Sequence, residues 1–174
     1  MNTILNMLAG GDLRSIGRSN EVVLLVLEET VLFKDLFQGF YSTDPLIRMR
    51  TSDAIEKISQ GRADLLDAYK NEVLALAEGA DQKEMRWHFA QIMPRLTLTK
   101  LERARAFSII EGYLTSQSAI VQACSLECLY DLGEKDMTLR KKAVEHLQQG
   151  LASSFKAVRA RSQKILSRND LFFT

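Results

Sequence analysis

The sequence predicts an all-α protein, an α-solenoid of about five antiparallel helix pairs. A short motif, an aliphatic or Met residue followed by Arg or Gln, recurs at steps of 38, 36 and 37 residues, a period typical of helical-repeat proteins. Apolar residues recur at helical spacing, and no segment alternates like a half-buried strand. Only 2 Pro interrupt 174 residues. The motif pairs are Ile47-Arg48, Met85-Arg86, Val121-Gln122 and Val158-Arg159.

Residues that begin or end helices delimit the first two pairs. Gly10-Gly11 ends a short first helix, and Ser19 or Asn20 caps the second. A third helix is predicted over residues 30–41. Asp44-Pro45 then opens the helix that carries the first motif, because Pro in the first turn loses no intrahelical hydrogen bond.

The later helices are delimited in the same way. A helix over residues 64–78 is followed by Gly79, and Pro94 ends the next one. Thr99 caps a long helix, and Gly133 ends its successor. The connections are short, so consecutive helices are expected to be antiparallel within one domain, residues 1–174. The predicted pairs are residues 1–29, 30–59, 63–95, 98–133 and 136–168.

Helical spacing also predicts the core and the role of the C-terminal tail. Six motif-helix residues are expected to be buried against the partner helix and the next repeat. The apolar tail residues Leu171, Phe172 and Phe173 are expected to dock on the last pair. The predicted core residues are Ile47, Ala54, Ile58, Val121, Leu129 and Val158.

The repeated segments resemble HEAT repeats, including the HEAT-like variety of many bacterial proteins. Asp44-Pro45, Ile47-Arg48 and Ala54-Ile55 carry the resemblance, with weaker echoes at Met85-Arg86 and Val158-Arg159, over roughly residues 30–168. The resemblance implies a right-handed stack of antiparallel helix pairs whose second helices line the concave face. The motif Arg side chains are interpreted as structural, reaching acidic or carbonyl groups at neighbouring repeat ends and so joining the turns.

The exposed positions of those second helices are the predicted interaction surface. A mixed-sign groove suits a peptide or protein helix better than a polyanion. Trp87 beside an Arg is typical of an interface hot spot, although a core Trp between repeats is equally compatible. The candidate partner-binding residues are Arg50, Asp53, Trp87, His88, Gln91 and Glu127, with Glu56, Arg95 and Asp131 beside them.

Composition favours a non-catalytic, cytoplasmic protein-binding scaffold. Lys and Arg number 23 against 22 Asp and Glu, which gives no general attraction to nucleic acid. No phosphate-binding loop or nucleophile elbow is evident, and the 2 His lie in different repeats. Cys124 and Cys128 are interpreted as reduced core thiols, so neither a metal nor a cofactor is expected. No apolar run reaches the roughly 18–20 residues of a membrane span.

A second hypothesis is nucleic-acid binding by a basic C-terminal patch. Alkylpurine DNA glycosylases also use HEAT-like stacks, with a basic groove and aromatic side chains. Residues 155–168 contain no acid, although a solvated terminal cap would have the same composition. A third class, the phycobilin lyases, also contains HEAT-like repeats, but no nucleophile here supports it. The patch residues are Lys156, Arg159, Arg161, Lys164 and Arg168.

Overall fold

The computed structural model describes residues 3–12 and 14–170, with side chains up to residue 168. Regular structure in these residues is entirely helical, which confirms the all-α prediction. None of the described helices has the length and apolar content that crossing a membrane requires. The α-helices are α1 Thr3–Leu8, α2 Ser19–Glu28, α3 Phe33–Phe37, α4 Pro45–Ser59, α5 Lys70–Glu78, α6 Lys83–Ile92, α7 Lys100–Gly112, α8 Ala119–Leu132, α9 Met137–Gly150 and α10 Lys156–Asp170.

The described residues form two compact units, Met1–Thr97 and Leu98–Thr174. Within unit 1, the motif helix α4 packs on α2 and on α6. Within unit 2, α8 packs on α7, α9 and α10. The division follows the third predicted helix pair, and the prediction of a single repeat domain stays a prediction.

Two helices begin at capping residues that the sequence predicts, Asp44 and Thr99, and α9 begins in the same way at Asp136. The predicted cap of α2 at Ser19 or Asn20 is wrong, because this helix begins at Ser19 and has no side-chain cap. The Asp44 carboxylate accepts the Leu46 N–H at 2.8 Å, and the Asp136 carboxylate accepts the Thr138 N–H at 3.0 Å. Thr99 forms a reciprocal capping box with Glu102. These caps satisfy N–H groups that have no intrahelical acceptor.

Two predicted helices are broken where aromatic rings meet. Residues 30–41 form 3₁₀ turns on either side of α3, and residues 63–69 form a 3₁₀ segment before α5. Phe37 stacks on Tyr69 at 4.3 Å between ring centroids and lies edge-on to Phe40 at 5.2 Å. We attribute the tighter turns to this ring packing, which outweighs local helix propensity.

All four motif polar residues make the same hydrogen bond. Each Arg or Gln donates to the backbone carbonyl six residues earlier, in the loop before its helix. The prediction that these side chains bind carbonyl groups is confirmed, but the carbonyl lies in the loop before the residue's own helix and not at the end of a neighbouring repeat. Neutral Gln122 makes the same bond as Arg. The bonds are Arg48 to Ser42 O at 2.9 Å, Arg86 to Ala80 O at 2.8 Å, Gln122 to Ser116 O at 2.7 Å, and Arg159 to Ser153 O at 2.6 Å.

The close contact inside a helix pair also recurs in both units. A Cβ added to Gly39 would lie 2.0 Å from Thr51 Oγ1, and one added to Gly150 would lie 2.2 Å from Ser162 Oγ. Thr51 and Ser162 are fully buried. Each glycine therefore allows its segment to approach the motif helix directly.

Five of the six predicted core residues are buried, and one prediction is wrong. Ile47 is only half-buried, whereas Leu46 and Met49 beside it are buried. Every residue of α4 from Met49 to Glu56 is buried, so this part of the helix is covered on all sides, and Ile47 lies in the less covered first turn. The predicted docking of Leu171, Phe172 and Phe173 lies outside the described residues. The confirmed core residues are Ala54, Ile58, Val121, Leu129 and Val158.

Candidate functional site

Arg50 lies inside unit 1, so its predicted exposure is wrong. The residue is 1% exposed, and its guanidinium is surrounded by the segment between α1 and α2. The side chain holds that segment through backbone carbonyls, which makes it an organiser of the fold rather than a surface contact. The donated bonds are Nη1 to Leu8 O at 2.8 Å and Gly10 O at 2.6 Å, Nη2 to Asp12 O at 3.3 Å, and Nε to Ser15 O at 3.0 Å.

Glycines allow the segment to fold around Arg50. Gly11 and Gly17 have φ values of +83° and +54°, a region that L side chains rarely adopt. A Cβ at Gly17 would lie 2.7 Å from the Arg50 guanidinium. Gly11 and Gly17 are the feature of the sequence that indicates a buried arginine. The helical spacing of α4 does not by itself show that Arg50 is covered.

Asp53 is also buried, which contradicts its predicted exposure. Its Oδ2 accepts a hydrogen bond from Ser19 Oγ at 2.5 Å and from Lys57 Nζ at 2.7 Å. Lys57 Nζ in turn donates to Asn20 Oδ1 at 2.8 Å. The carboxylate therefore links α4 to the first turn of α2.

Glu56 forms a second polar link, to the segment after α6. Its Oε1 accepts from Arg95 Nη2 at 2.7 Å, while Arg95 Nη1 donates to Glu56 O at 2.8 Å and to Ser59 Oγ at 2.7 Å. Glu56 is buried and Arg95 is half-buried. Burying an ion pair costs desolvation, which the additional hydrogen bonds offset.

His88 on α6 completes the arrangement. It is 8% exposed, and its Nδ1 has no hydrogen-bond partner within the described residues, so the predicted exposure is wrong here too. Burial lowers the pKa of His88, and the negative charges of Asp53 and Glu56 partly oppose this. We call Ser19, Asn20, Asp53, Glu56, Lys57, His88 and Arg95 the unit 1 polar cluster.

Trp87 and Gln91 lie at the edge of this cluster. Both are half-buried, and the Trp87 ring centroid is 5.4 Å from that of His88. Gln91 Nε2 donates to the Trp87 carbonyl at 3.2 Å. Of the unit 1 candidates named from the sequence, Trp87, Gln91 and Arg95 therefore retain an accessible fraction, whereas the predicted exposure of Glu56 is wrong.

In unit 2 the basic patch is partly engaged in internal contacts. Arg161 pairs with the half-buried Glu127, and Arg159 makes the motif hydrogen bond. Glu127 is thus a candidate that the structure assigns to the contact between α8 and α10 of unit 2, and not to the unit 1 polar cluster. The remaining patch residues are exposed: Lys156, Lys164 and Arg168.

The soft ligands are not assembled into a metal site. Burial raises the pKa of the Cys128 thiol well above its usual value, and Cys124 is half-buried on the same helix. His146 Nε2 lies 2.7 Å from Glu111 Oε1. The described residues contain no group of three His, Cys, Asp or Glu arranged to hold a metal ion. The absence of a metal from the protein itself stays a prediction.

A groove in unit 2 was not predicted from the sequence. It has a volume of about 930 Å³ and lies between the end of α8, α9 and Arg168 of α10. The Arg140 guanidinium stands 3.4 Å from the Tyr130 ring centroid. Asp131 is exposed, as predicted, although partial desolvation, with Glu127 and Glu134 nearby, raises its pKa to about 6. Its walls carry both signs of charge, which favours no single class of ligand.

Comparisons with known proteins bear on the fold and not on this chemistry. No family model and no curated protein matches the sequence. Among solved structures, the chain is similar to an engineered protein determined by the Northeast Structural Genomics Consortium, with a TM-score of 0.64 and 16% identity. The match covers 95% of this chain and 77% of the engineered protein. At that identity the likeness shows a shared helical fold alone.

Proposed function

We propose that this protein is a non-catalytic protein-binding module whose units are HEAT-like stacks of helix pairs. The recurring hydrogen bond from each motif residue to the carbonyl six residues earlier supports the repeat interpretation. The packing of α4 on both α2 and α6 supports stacking of the motif helices within unit 1. A stack of this kind acts through its surface, so the binding residues have to be sought there.

The observation that carries the proposal is the unit 1 polar cluster. Its charges are held by neighbouring side chains across α2, α4 and the segment after α6. Groups that are ordered before binding lose little entropy when a partner arrives. Mixed charge beside a half-buried Trp favours a protein partner with its own polar and apolar contacts. The proposed contact residues are Asn20, Lys57, Trp87, Gln91 and Arg95.

Nucleic-acid binding through α10 is the alternative. Two of the five basic residues already bind groups of unit 2, which leaves three exposed cations. Few phosphate contacts give weak binding with a shallow salt dependence. The basic end is therefore used as the control region in the experiment that tests the proposal.

The test is quantitative affinity purification from the native host with the full chain as bait. We expect Trp87→Ala/Gln91→Ala to reduce recovery of a specific protein and to raise its dissociation constant by about 30-fold, the loss expected for a hot spot of about 2 kcal/mol. The matched control, Lys164→Ala/Arg168→Ala, should retain it. Circular dichroism and melting curves of both variants establish that they are folded.

The opposite pattern would favour the nucleic-acid alternative. The proposal would be contradicted if only Lys164→Ala/Arg168→Ala lost the interaction and if the affinity of wild type for DNA fell steeply as the salt concentration rises. Unchanged recovery in both variants would show that the partner does not bind at Trp87 and Gln91, beside the unit 1 polar cluster.

A further inference from the structure

Each of the two ion pairs in the unit 1 polar cluster exposes its cation and covers its acid. The side chain of Lys57 is 30% exposed, and that of Asp53 is 9% exposed. In the second pair, the side chain of Arg95 is 28% exposed, and that of Glu56 is 8% exposed. A partner that approaches the cluster therefore meets the ammonium and guanidinium groups and reaches little of the carboxylates.

The two cations border one area, because the acids that hold them are neighbours on α4. Asp53 and Glu56 are three positions apart, a spacing that brings two side chains to the same side of a helix. Lys57 lies one turn after Asp53, and Arg95 reaches α4 from the segment after α6. Each cation makes at least two hydrogen bonds to its neighbours, so its position is set before a partner arrives.

Both cations keep hydrogen-bond donors that the cluster does not use. An ammonium group carries three N–H donors, and a guanidinium carries five. Lys57 uses two of its donors, and Arg95 uses three. Among the described residues, one donor of Lys57 and two of Arg95 therefore have no acceptor. Hydrogen bonds from charged donors to a carboxylate are among the strongest that side chains make.

Acidic side chains of the neighbouring helices do not supply the missing acceptors. Glu21 of α2 is bound by Arg18, at 2.8 Å between Arg18 Nη2 and Glu21 Oε2. Glu84 of α6 lies 3.8 Å from Lys83 Nζ, and its side chain is only 16% exposed. In the described part of the chain, neither acid is a hydrogen-bond partner of the two cations. The remaining donors are therefore available to water or to an acceptor of a partner.

Trp87 extends the same surface with an apolar contact. Gln91 lies one turn after Trp87 on α6 and four positions before Arg95, so it joins the half-buried ring to the cations. A ligand that spans this area needs an acceptor at one end and an apolar side chain at the other.

We propose that unit 1 binds an acidic peptide segment of its partner. A carboxylate of this segment binds Lys57 and Arg95, and an apolar side chain of the segment packs on Trp87. The inference rests on the proposed function and specifies the chemistry of the partner. A singly charged carboxylate fits better than a phosphate group, because the covered acids Asp53 and Glu56 would repel the second negative charge of a phosphate.

A phage-displayed library of random peptides, selected on the full chain, supplies the probe. Peptides whose binding is lost in Trp87→Ala/Gln91→Ala are retained, because they use the proposed surface. We expect these peptides to share an Asp or Glu close to an aromatic or aliphatic residue. Replacing that acid by its amide should raise the dissociation constant by about tenfold, which isothermal titration calorimetry measures.

A double-mutant cycle separates a direct contact from a change in the fold. Lys57→Gln should weaken binding of the acidic peptide by about tenfold and should have little effect on binding of its amide counterpart. Lys164→Gln, at an exposed lysine of unit 2, is the matched control and should bind both peptides as wild type does. Additive effects of the peptide and protein changes would overturn the proposed contact. Unchanged circular dichroism shows that the variants are folded.

The outcomes also separate this inference from the proposed function. Peptides that require Trp87 and Gln91 but bind equally well as amides would overturn the inference and leave the proposed function standing. Tighter binding when phosphoserine replaces the acid would assign the site to phosphate and overturn the inference as well. If no selected peptide is sensitive to Trp87→Ala/Gln91→Ala, the inference fails, and the proposed function fails with it only if recovery in the affinity purification is also unchanged.

Discussion

The position three residues after the motif aliphatic residue holds Arg50 in unit 1 and Arg161 in unit 2. Arg50 is fully buried and binds backbone carbonyls of the segment before α2. Arg161 is half-buried and pairs with one carboxylate, that of Glu127. The same side chain at the same repeat position is therefore interior in one unit and part of the surface in the other. The neighbouring segment, and not the motif, decides which.

The two units differ more broadly in how they use polar residues. Helix α4 buries a run of them, and the described part of unit 2 buries only Ser125 and Ser162. Both units nevertheless make the motif hydrogen bond and the close glycine contact. The motif hydrogen bond and the close glycine contact are common to both units, while the buried polar network is a property of unit 1. The buried polar residues of α4 are Arg50, Thr51, Ser52, Asp53, Glu56 and Ser59.

The largest expected difference is between Arg50→Ala and Arg161→Ala. Loss of Arg50 leaves buried carbonyls without donors, and we expect the free energy of unfolding to fall by about 3 kcal/mol or more. Loss of a half-exposed ion pair at Arg161 should cost about 1 kcal/mol or less. Urea denaturation of the three proteins measures both. Equal losses would show that the two arginines have the same role.

The close glycine contact is expected to be equally sensitive in both units. Gly39→Ala and Gly150→Ala should each lower the free energy of unfolding by about 1–3 kcal/mol, because the new Cβ collides with a buried hydroxyl. Gly112→Ala is the control: nothing lies within 4 Å of its Cβ, and alanine should stabilise the end of α7 by up to about 1 kcal/mol. A neutral Gly150→Ala would mean that this contact is loose in unit 2.

The motif hydrogen bond is expected to depend on an N–H group and not on charge. Arg159→Gln should therefore change the free energy of unfolding by less than about 0.5 kcal/mol, since Gln122 already makes this bond. Arg159→Ala should cost about 1 kcal/mol. Thermal unfolding of the two variants distinguishes them. A glutamine variant as unstable as the alanine variant would assign the stabilisation to the charge.

The helix boundaries and the repeated motif can be predicted from the sequence because the signals for them are local. Capping residues such as Asp44 and Thr99 act within one helical turn, and the motif recurs often enough to be recognised. The sequence contains a further local signal: Ser42, Ser116 and Ser153 stand six residues before a motif polar residue, and each hydroxyl accepts a nearby backbone N–H.

The surface of unit 1 could not be predicted in the same way. Helical spacing predicts that Arg50, Asp53 and His88 are exposed positions of the motif helices. It contains no information on which residues of other helices pack over them. The coverage comes from residues 34 or 35 positions away, such as Ser15 over Arg50 and Ser19 over Asp53. Long-range contacts of this kind depend on the tertiary structure. Trp87 and Gln91 escape such coverage and remain half-buried.

The burial of the unit 1 polar cluster is tested most directly by the pKa of His88. Burial favours the neutral imidazole, so NMR titration should give a pKa below the ordinary value of 6.5, with His146→Gln to assign the two His signals. Because the unfolded chain binds the proton more readily, stability should also decrease as the pH falls below about 6.5. A His88 pKa at or above 6.5 would contradict the account, since it would indicate a solvated ring or dominance of the nearby carboxylates.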